Sequence, residues 1–248
     1  MKSSVETTKG FYENAYSRAE TKTGVLLVLG IFAGVYSALG CFGAQIASAY
    51  GANRIVSSVI FPVGSMLTTC CGGTLFTGNL LMLIGYKKNR ITLKQLLRYL
   101  SLAYVSNFAG SLLLVVLICL SGYTDGAIRE VMIATAENKL ANSFVQSLCK
   151  GVLCGILVNL GAWLSYAGNS MQGKILGVFF PTMLFYLCSF EHCITNMYFI
   201  PMAMLLGCRI SLGAFLYNLL AVTIGNVLGG GFFVALGYWY VFVKEAKE

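Results

Sequence analysis

Apolar runs long enough to cross a hydrocarbon core, which takes about 20 residues as a helix, recur along the whole of this 248-residue chain. They fall at roughly 24–50, 56–86, 93–120, 144–166, 174–208 and 212–243. No polar stretch between them is long enough to form a separate soluble domain. Composition points the same way: 57% of residues are hydrophobic and 10% charged, whereas a soluble domain devotes about a quarter to charge. The expectation is one all-α membrane domain over 1–248 with six transmembrane helices, multi-pass in an inner, cytoplasmic-type membrane with lipid around it. A soluble enzyme is excluded.

Basic residues mark the retained side of a membrane protein. With an even number of spans both termini share one side, and placing them inside puts Lys2, Lys9, Arg18, Lys22, Lys87, Lys88, Arg90, Lys94, Arg98, Lys174, Lys244 and Lys247 there. Only Arg54, Arg129, Lys139, Lys150 and Arg209 are then left outside, so both termini are expected in the cytoplasm. The net charge of +8 is accounted for by this topology and implies no nucleic acid. Residues 1–23 mix acidic and basic side chains, lack the apolar core of a signal peptide and read as a cytosolic surface helix.

The second and fifth spans are too long for one straight crossing, and each is interrupted: by Gly72-Gly73-Thr74-Leu75-Phe76-Thr77-Gly78-Asn79 and by Ser189-Phe190-Glu191-His192-Cys193-Ile194-Thr195-Asn196. Irregular backbone at membrane depth survives only where protein buries it or a cavity hydrates it, so the two breaks mark the functional centre. The halves also echo one another. Phe61-Pro62 pairs with Phe180-Pro181, Gly78-Asn79-Leu80 with Thr195-Asn196-Met197, and Ser106-Asn107-Phe108-Ala109-Gly110 with Gly225-Asn226-Val227-Leu228-Gly229, at nearly constant spacing. Three spans per repeat send the second repeat in from the opposite face, an inverted 3+3 arrangement associated with transport, over 24–121 and 142–243. Glycines such as Gly30, Gly34, Gly151 and Gly155 read as close-packing positions between helices.

Inside the predicted hydrocarbon the ionisable cluster is Glu191-His192, and such groups are functional by default. His192, the chain's single histidine, can donate to an anion when neutral or neutralise it when charged. Glu191 is assigned a supporting role, capping backbone amides of the break or orienting the chain beside His192. New half-helices are expected to start near Asn79 and Asn196, with asparagine as the favoured cap and the positive dipole ends meeting at mid-depth. Thr77 adds a hydroxyl across from His192; Leu75, Phe76, Phe61 and Phe185 supply bulk for apolar collars that gate by dewetting. Nine scattered cysteines, including the adjacent Cys70 and Cys71, read as small buried hydrophobes, and with one histidine no metal site is expected. No cofactor is implied.

The run Phe190-Glu191-His192-Cys193-Ile194-Thr195-Asn196-Met197 with Ile200-Pro201-Met202, the Leu75-Phe76-Thr77-Gly78-Asn79 break and the Ile224-Gly225-Asn226-Val227-Leu228-Gly229-Gly230-Gly231 run together resemble the formate/nitrite transporter family. That resemblance implies a homopentamer of aquaporin-like protomers, each with its own pore for a small monovalent anion such as formate, nitrite, hydrosulfide, acetate or lactate. It makes His192 the central histidine, Thr77 its partner, Phe61 and Phe185 the outer collar, Leu75 and Phe76 the border of the inner constriction, and Lys139 the vestibule lysine. Two departures from the formate-channel pattern stand out. Ser65 replaces a leucine one turn after Phe61, and Gly155 is read in place of an asparagine ahead of Trp163; both turn attention to hydrosulfide and other weak acids. The function expected is passive, proton-linked permeation of such anions. The alternative, an aquaporin-like pore for neutral solutes, would want an Asn-Pro-Ala sequence at each break, and neither Asn79-Leu80 nor Asn196-Met197 supplies the proline. A membrane enzyme would need more converging acids, bases or metal ligands than one glutamate and one histidine.

Overall fold

The structure, a computed structural model, describes residues 1–244; Lys247, counted above among the basic residues, lies outside them. Among the described residues there is no strand. Helix α1 (Ser4–Ala19) begins at a capping box in which Ser3 and Glu6 satisfy each other's backbone amides, and the same device starts α6 (Leu93–Leu120, Thr92 with Gln95) and α8 (Phe144–Ala167, Ser143 with Gln146). Such boxes fix helix starts because the first amides have no partner within the helix. α1 is docked rather than loose on the surface: Phe11, Ala15 and Ala19 are buried, and the Phe11 ring lies 4.7 Å from that of Tyr166.

Four helices are long and apolar enough to cross a membrane, namely α2 (Thr23–Ala49), α6, α8 and α11, whose stretch runs Leu212–Lys244. α11 is α-helical over Leu212–Val227 and continues through π-helical turns, Leu228–Leu236 and Tyr240–Lys244. The other two apolar stretches are each divided. The first gives α3 (Arg54–Ile60), α4 (Val63–Cys70), a 3-10 turn Thr77–Leu81 and α5 (Met82–Lys87). Pro62, which has no amide hydrogen, separates α3 from α4. α4 ends where Gly72 turns to φ +85° and the Gly73 amide bonds back to the Thr68 carbonyl. The second stretch gives α9 (Met171–Leu187) and α10 (Cys193–Leu205). α9 ends in a Schellman turn: the Ser189 amide bonds to Tyr186 O and the Phe190 amide to Phe185 O, with Ser189 itself at φ +55° where glycine is usual. Helix α7 (Gly126–Leu140), which the reading of apolar spans did not anticipate, lies between α6 and α8 and buries Met132 and Ala136.

Both interruptions fall where the apolar pattern placed them, yet their edges differ. Helix resumes at Thr77 and at Cys193, so Thr195 and Asn196 lie inside α10 and neither Asn79 nor Asn196 caps a helix start. The N-cap of α10 is His192, whose side chain accepts from the Thr195 amide. From Cys193 to Ala203 every α10 residue is buried, which is why the sequence there is largely apolar and its polar Thr195 and Asn196 are hydrogen-bonded within the protein.

The two halves close on themselves through matched contacts. A Cβ at Gly34 would stand 2.1 Å from the Asn107 carbonyl oxygen, and one at Gly110 2.1 Å from that of Ile31, so α2 and α6 touch backbone to backbone. In the second half Gly155 and Gly229 do the same for α8 and α11, at 2.4 Å from Asn226 O and 2.0 Å from Val152 O. Small residues that admit this approach replace the hydrophobic force that lipid removes. Gly155→Ala and Gly34→Ala are therefore expected each to destabilise the folded protein by about 1–3 kcal/mol. Gly78→Ala, whose new Cβ would meet nothing nearer than Ala162 at 3.8 Å, should be tolerated; retention of a monodisperse size-exclusion peak after graded heating in detergent separates the three.

Candidate functional site

The breaks are held by two asparagines from elsewhere in the chain. Asn107 of α6 accepts from the Phe76 amide at 2.9 Å and donates to the carbonyls of Gly30 and Thr74, each at 2.8 Å. Asn226 of α11 accepts from the Cys193 amide at 2.9 Å and donates to Gly151 O at 2.8 Å and Glu191 O at 2.9 Å. Both side chains are fully buried. Each ties the bare backbone on either side of a break to a neighbouring long helix, which an unpaired amide or carbonyl at that depth requires. These two residues were visible in the sequence only as partners in the repeat, and their constant offset was the signal that could have named them.

His192 and Glu191, at 2% exposure each, are the only buried side chains among the Asp, Glu, Lys, Arg and His of the described residues. The Thr195 amide donates to His192 Nδ1 at 3.3 Å, and Nε2 lies 2.8 Å from Thr77 Oγ1. An Nδ1 that accepts carries no hydrogen, so this set of bonds belongs to the neutral ring with its hydrogen on Nε2, aimed at Thr77. That leaves the Thr77 hydroxyl free to donate onward. Glu191 caps no backbone amide with its side chain. Its Oε2 takes Lys139 Nζ at 3.0 Å and Asn196 Nδ2 at 2.8 Å, and Asn196 in turn bonds Asn218 at 2.8 Å.

Three cavities lie in series through the protomer. On the α1 side is one of about 370 Å³, lined by Arg18, Ser65, Thr68, Leu75, Asn79, Val158, Lys174 and Thr182 among others. On the far side is one of about 430 Å³, lined by Arg54, Phe61, Lys139, Lys150, Phe185, Glu191 and Thr195 among others. Between them a cavity of about 20 Å³, room for about one water, is bounded by Ser37, Phe61, Ser65, Leu75, Val158, Phe185, His192 and Thr195. Phe61, Phe185 and Thr195 are shared with the far cavity, and Ser65, Leu75 and Val158 with the α1-side cavity. The Phe61 and Phe185 rings meet edge to face at 5.2 Å, and Phe185 stacks on His192 at 5.6 Å. Phe76, assigned above to the inner constriction, borders none of the three; it turns into the packing between helices and meets Tyr104 at 4.9 Å. Asn79 is in the α1-side cavity, where Arg18 Nη1 donates to its Oδ1 at 2.5 Å. Lys139 comes from the unanticipated α7 and stands 5.2 Å over the Phe199 ring. Arg18, Arg54, Lys150 and Lys174 were read for topology alone and prove to line the two large cavities. An asparagine does stand ahead of Trp163: Asn159, buried and donating to Gly155 O at 2.9 Å, which the reading that put Gly155 in that place passed over. Among the described residues no group of three or more His, Cys, Asp or Glu could hold a metal ion.

The sequence matches the family described as Formate/nitrite transporter over residues 5–240. The chain belongs to the formate/nitrite transporter family. This transporter is 32% identical over 218 residues to the formate channel FocA of Escherichia coli K12, covering 79% of its own length and 76% of that protein's. In three dimensions it superimposes on a solved FNT family ion channel with a TM-score of 0.88 at 26% identity, covering 95% of this chain and 98% of that one. A solved pentameric formate channel with formate bound gives 0.81 at 27% identity, covering 89% and 98%. The protein is a membrane transport protein and not an enzyme.

Removing the asparagine that holds the second break leaves the Cys193 amide and the Glu191 carbonyl without a partner, each carrying about 1–3 kcal/mol of desolvation when unpaired. Asn226→Ala is expected to lower the thermal midpoint in detergent more than any single glycine variant above. Asn226→Asp, which keeps an acceptor but loses both donors, should fare no better than alanine. A wild-type midpoint in Asn226→Ala would show that the break supports itself.

Proposed function

We propose that this transporter is a passive, proton-linked channel for small monovalent anions of weak acids, of the formate, nitrite and hydrosulfide class. The observation that carries the reading is the series of cavities: two large basic chambers joined by a one-water chamber that His192 borders. In the far chamber Arg54, Lys139 and Lys150 face a single carboxylate, Glu191, already paired with Lys139; Arg18 and Lys174 face none in the other. Such an imbalance concentrates anions. A hydrated ion cannot enter about 20 Å³ between Phe61, Phe185 and Leu75, and a bare ion there would sit in low dielectric at prohibitive cost. The substrate therefore takes up a proton at the chamber's edge, crosses past His192 as the neutral acid, and ionises again on the other side. Thr77 holds the His192 ring in place by accepting from its Nε2. Lys139, paired with Glu191, keeps the far approach positive while Asn196 and Asn218 hold the carboxylate still.

The same reading places the protomer as a six-span inverted repeat over 24–121 and 142–243. In support, Asn107 and Asn226 make equivalent bonds at positions 117 to 121 residues apart. It places the α1 side, with both termini, in the cytoplasm of an inner membrane. It also takes the exposed apolar side chains such as Phe32, Leu117, Phe180, Leu216 and Phe233 as facing lipid or neighbouring copies in a homopentamer. Ser65, which borders both the central and the α1-side cavity, widens the inner constriction and adds a hydroxyl, which favours hydrosulfide and other small weak acids alongside formate.

In proteoliposomes, influx of formate, nitrite, hydrosulfide, acetate and lactate is expected to rise as external pH falls, because protonation precedes crossing. Thr77→Val, which removes the neutral hydrogen bond of about 0.5–1.5 kcal/mol that holds the His192 ring, should slow influx roughly two- to tenfold, and His192→Ala should slow it while the rise at low pH persists, because protonation of the substrate precedes crossing. Glycerol flux without weak-acid flux would transfer the assignment to a neutral-solute pore. Ser65→Leu should reduce flux and discriminate more strongly against lactate than against formate, read from the ratio of the two rates.

A further inference from the structure

Arg54 carries an arrangement that neither the family relationship nor the channel reading assigns. It is the first residue of α3, yet its guanidinium reaches across to the end of α9. Nε donates to Leu187 O at 2.7 Å, and Nη2 donates to Tyr186 O at 3.2 Å and to Ser189 Oγ. The Schellman turn already satisfies Phe185 O and Tyr186 O through the amides of Phe190 and Ser189, and Leu184 O through that of Cys188. Leu187 O is the last carbonyl of the helix, and Arg54 is its partner. A 17-residue helix ends in about half a negative charge, and this one ends at the far cavity, which Tyr186, Ser189 and Arg54 all line. The same turn carries Phe185, the collar residue, and leads three residues later to His192. An anion approaching the collar would otherwise meet a row of carbonyl oxygens.

Among the described residues the corresponding turn of the first half has no arginine bonded to its carbonyls. It uses Gly72, 117 residues before Ser189, at φ +85°, a conformation free of penalty for glycine. Ser189 at φ +55° is one that side chains rarely adopt, and its hydroxyl is one of the groups Arg54 holds. Two roles are thus superposed on one side chain, propping a strained turn and cancelling a helix end.

We propose that Arg54 is a specificity-determining residue of the far cavity, where its charge cancels the negative end of α9 and lets anions reach the Phe61–Phe185 collar. The proposal rests on the anion-channel reading. Propping Ser189 is secondary, and glycine can replace that part.

The test is formate influx into proteoliposomes at low and high ionic strength for wild type, Arg54→Gln, Arg54→Lys, Ser189→Gly and the double variant R54Q/S189G. Arg54→Gln should lose about tenfold at low salt, the low end of what focused charge adds to encounter rates, and the gap should narrow at high salt, where attraction is screened. Arg54→Lys should stay much nearer wild type. Ser189→Gly should cost much less flux than Arg54→Gln, and the double variant should be as slow as Arg54→Gln. Should Arg54→Gln not fold, the double variant measured against Ser189→Gly carries the same comparison on a relaxed turn. Wild-type flux in Arg54→Gln, a deficit equal at both salts, or full rescue by glycine in the double variant would overturn the proposal. Absence of weak-acid flux in the wild-type protein would instead overturn the channel reading beneath it.

Discussion

The structure depends on satisfying bare backbone in the middle of a membrane. A helix crossing hydrocarbon bonds all of its own amides and carbonyls, and any interruption releases several at once into a solvent that offers nothing in return. Here two interruptions are opened and each is closed by one asparagine, which is suited to the task because its side chain presents an acceptor and two donors in a single plane. Asn107 and Asn226 each take an amide where helix resumes (Phe76, Cys193), the carbonyl two residues earlier within the break (Thr74, Glu191), and a carbonyl on a neighbouring long helix. The glycines at those helix crossings belong to the same constraint. Gly34 and Gly155 let the backbones of Asn107 and Asn226 come close enough for the third bond to form.

Once the breaks are stable, their placement shapes the central cavity. The first brings Leu75 to its wall, the second His192 and, through the turn before it, Phe185; Thr77, from the first break, meets the His192 ring. Thr77 and His192 lie 115 residues apart in sequence and 2.8 Å apart in space. Neither carries a full charge in this bonding arrangement, so the narrowest point is polar without being ionic. Full charges are kept to the two large cavities, where water screens them, and the one carboxylate at depth is bound to Lys139 and Asn196. On the anion-channel reading proposed above, this division is what such a pore needs: attraction at its mouths and no deep trap at its centre.

What could be read from the sequence follows from what is local. Apolar length reveals spans, and a glycine-rich or charged interruption within one reveals a break, because both are properties of contiguous residues. His192 and Glu191 stood out since an ionisable group in an apolar run has few reasons to be there. Phe61 and Phe185 were singled out by their bulk beside the breaks and by the family resemblance. The cap residues did not emerge, because a side chain that satisfies the Phe76 amide from 31 positions downstream leaves no trace beside Phe76. Asn79 and Asn196 were placed as caps on residue preference alone, and the preference was overridden by tertiary partners, Arg18 for one and Glu191 with Asn218 for the other. Phe76 was assigned to the pore as a neighbour of Leu75, but successive residues at a break point in different directions, and only Leu75 borders the cavities. α7 was missed because its mixed composition does not resemble a span, although it brings in Lys139.

The remaining asymmetry between the halves is instructive because their backbone bonds are so nearly equivalent. The turn at Gly72 relies on glycine and faces a cavity whose cations, Arg18 and Lys174, come from α1 and the start of α9. The turn at Ser189 relies on a serine in the same backbone region and recruits Arg54 to its carbonyls. Two breaks held alike by asparagines but opening to unlike mouths can keep the central chamber fixed while each entrance is tuned separately. Substitutions at Arg54 or Arg18 then alter access from one side, whereas substitutions at Asn107 or Asn226 threaten the fold itself. Charge at the mouths and hydrogen bonding at the breaks are thus separable, although both are written into the same two interrupted stretches.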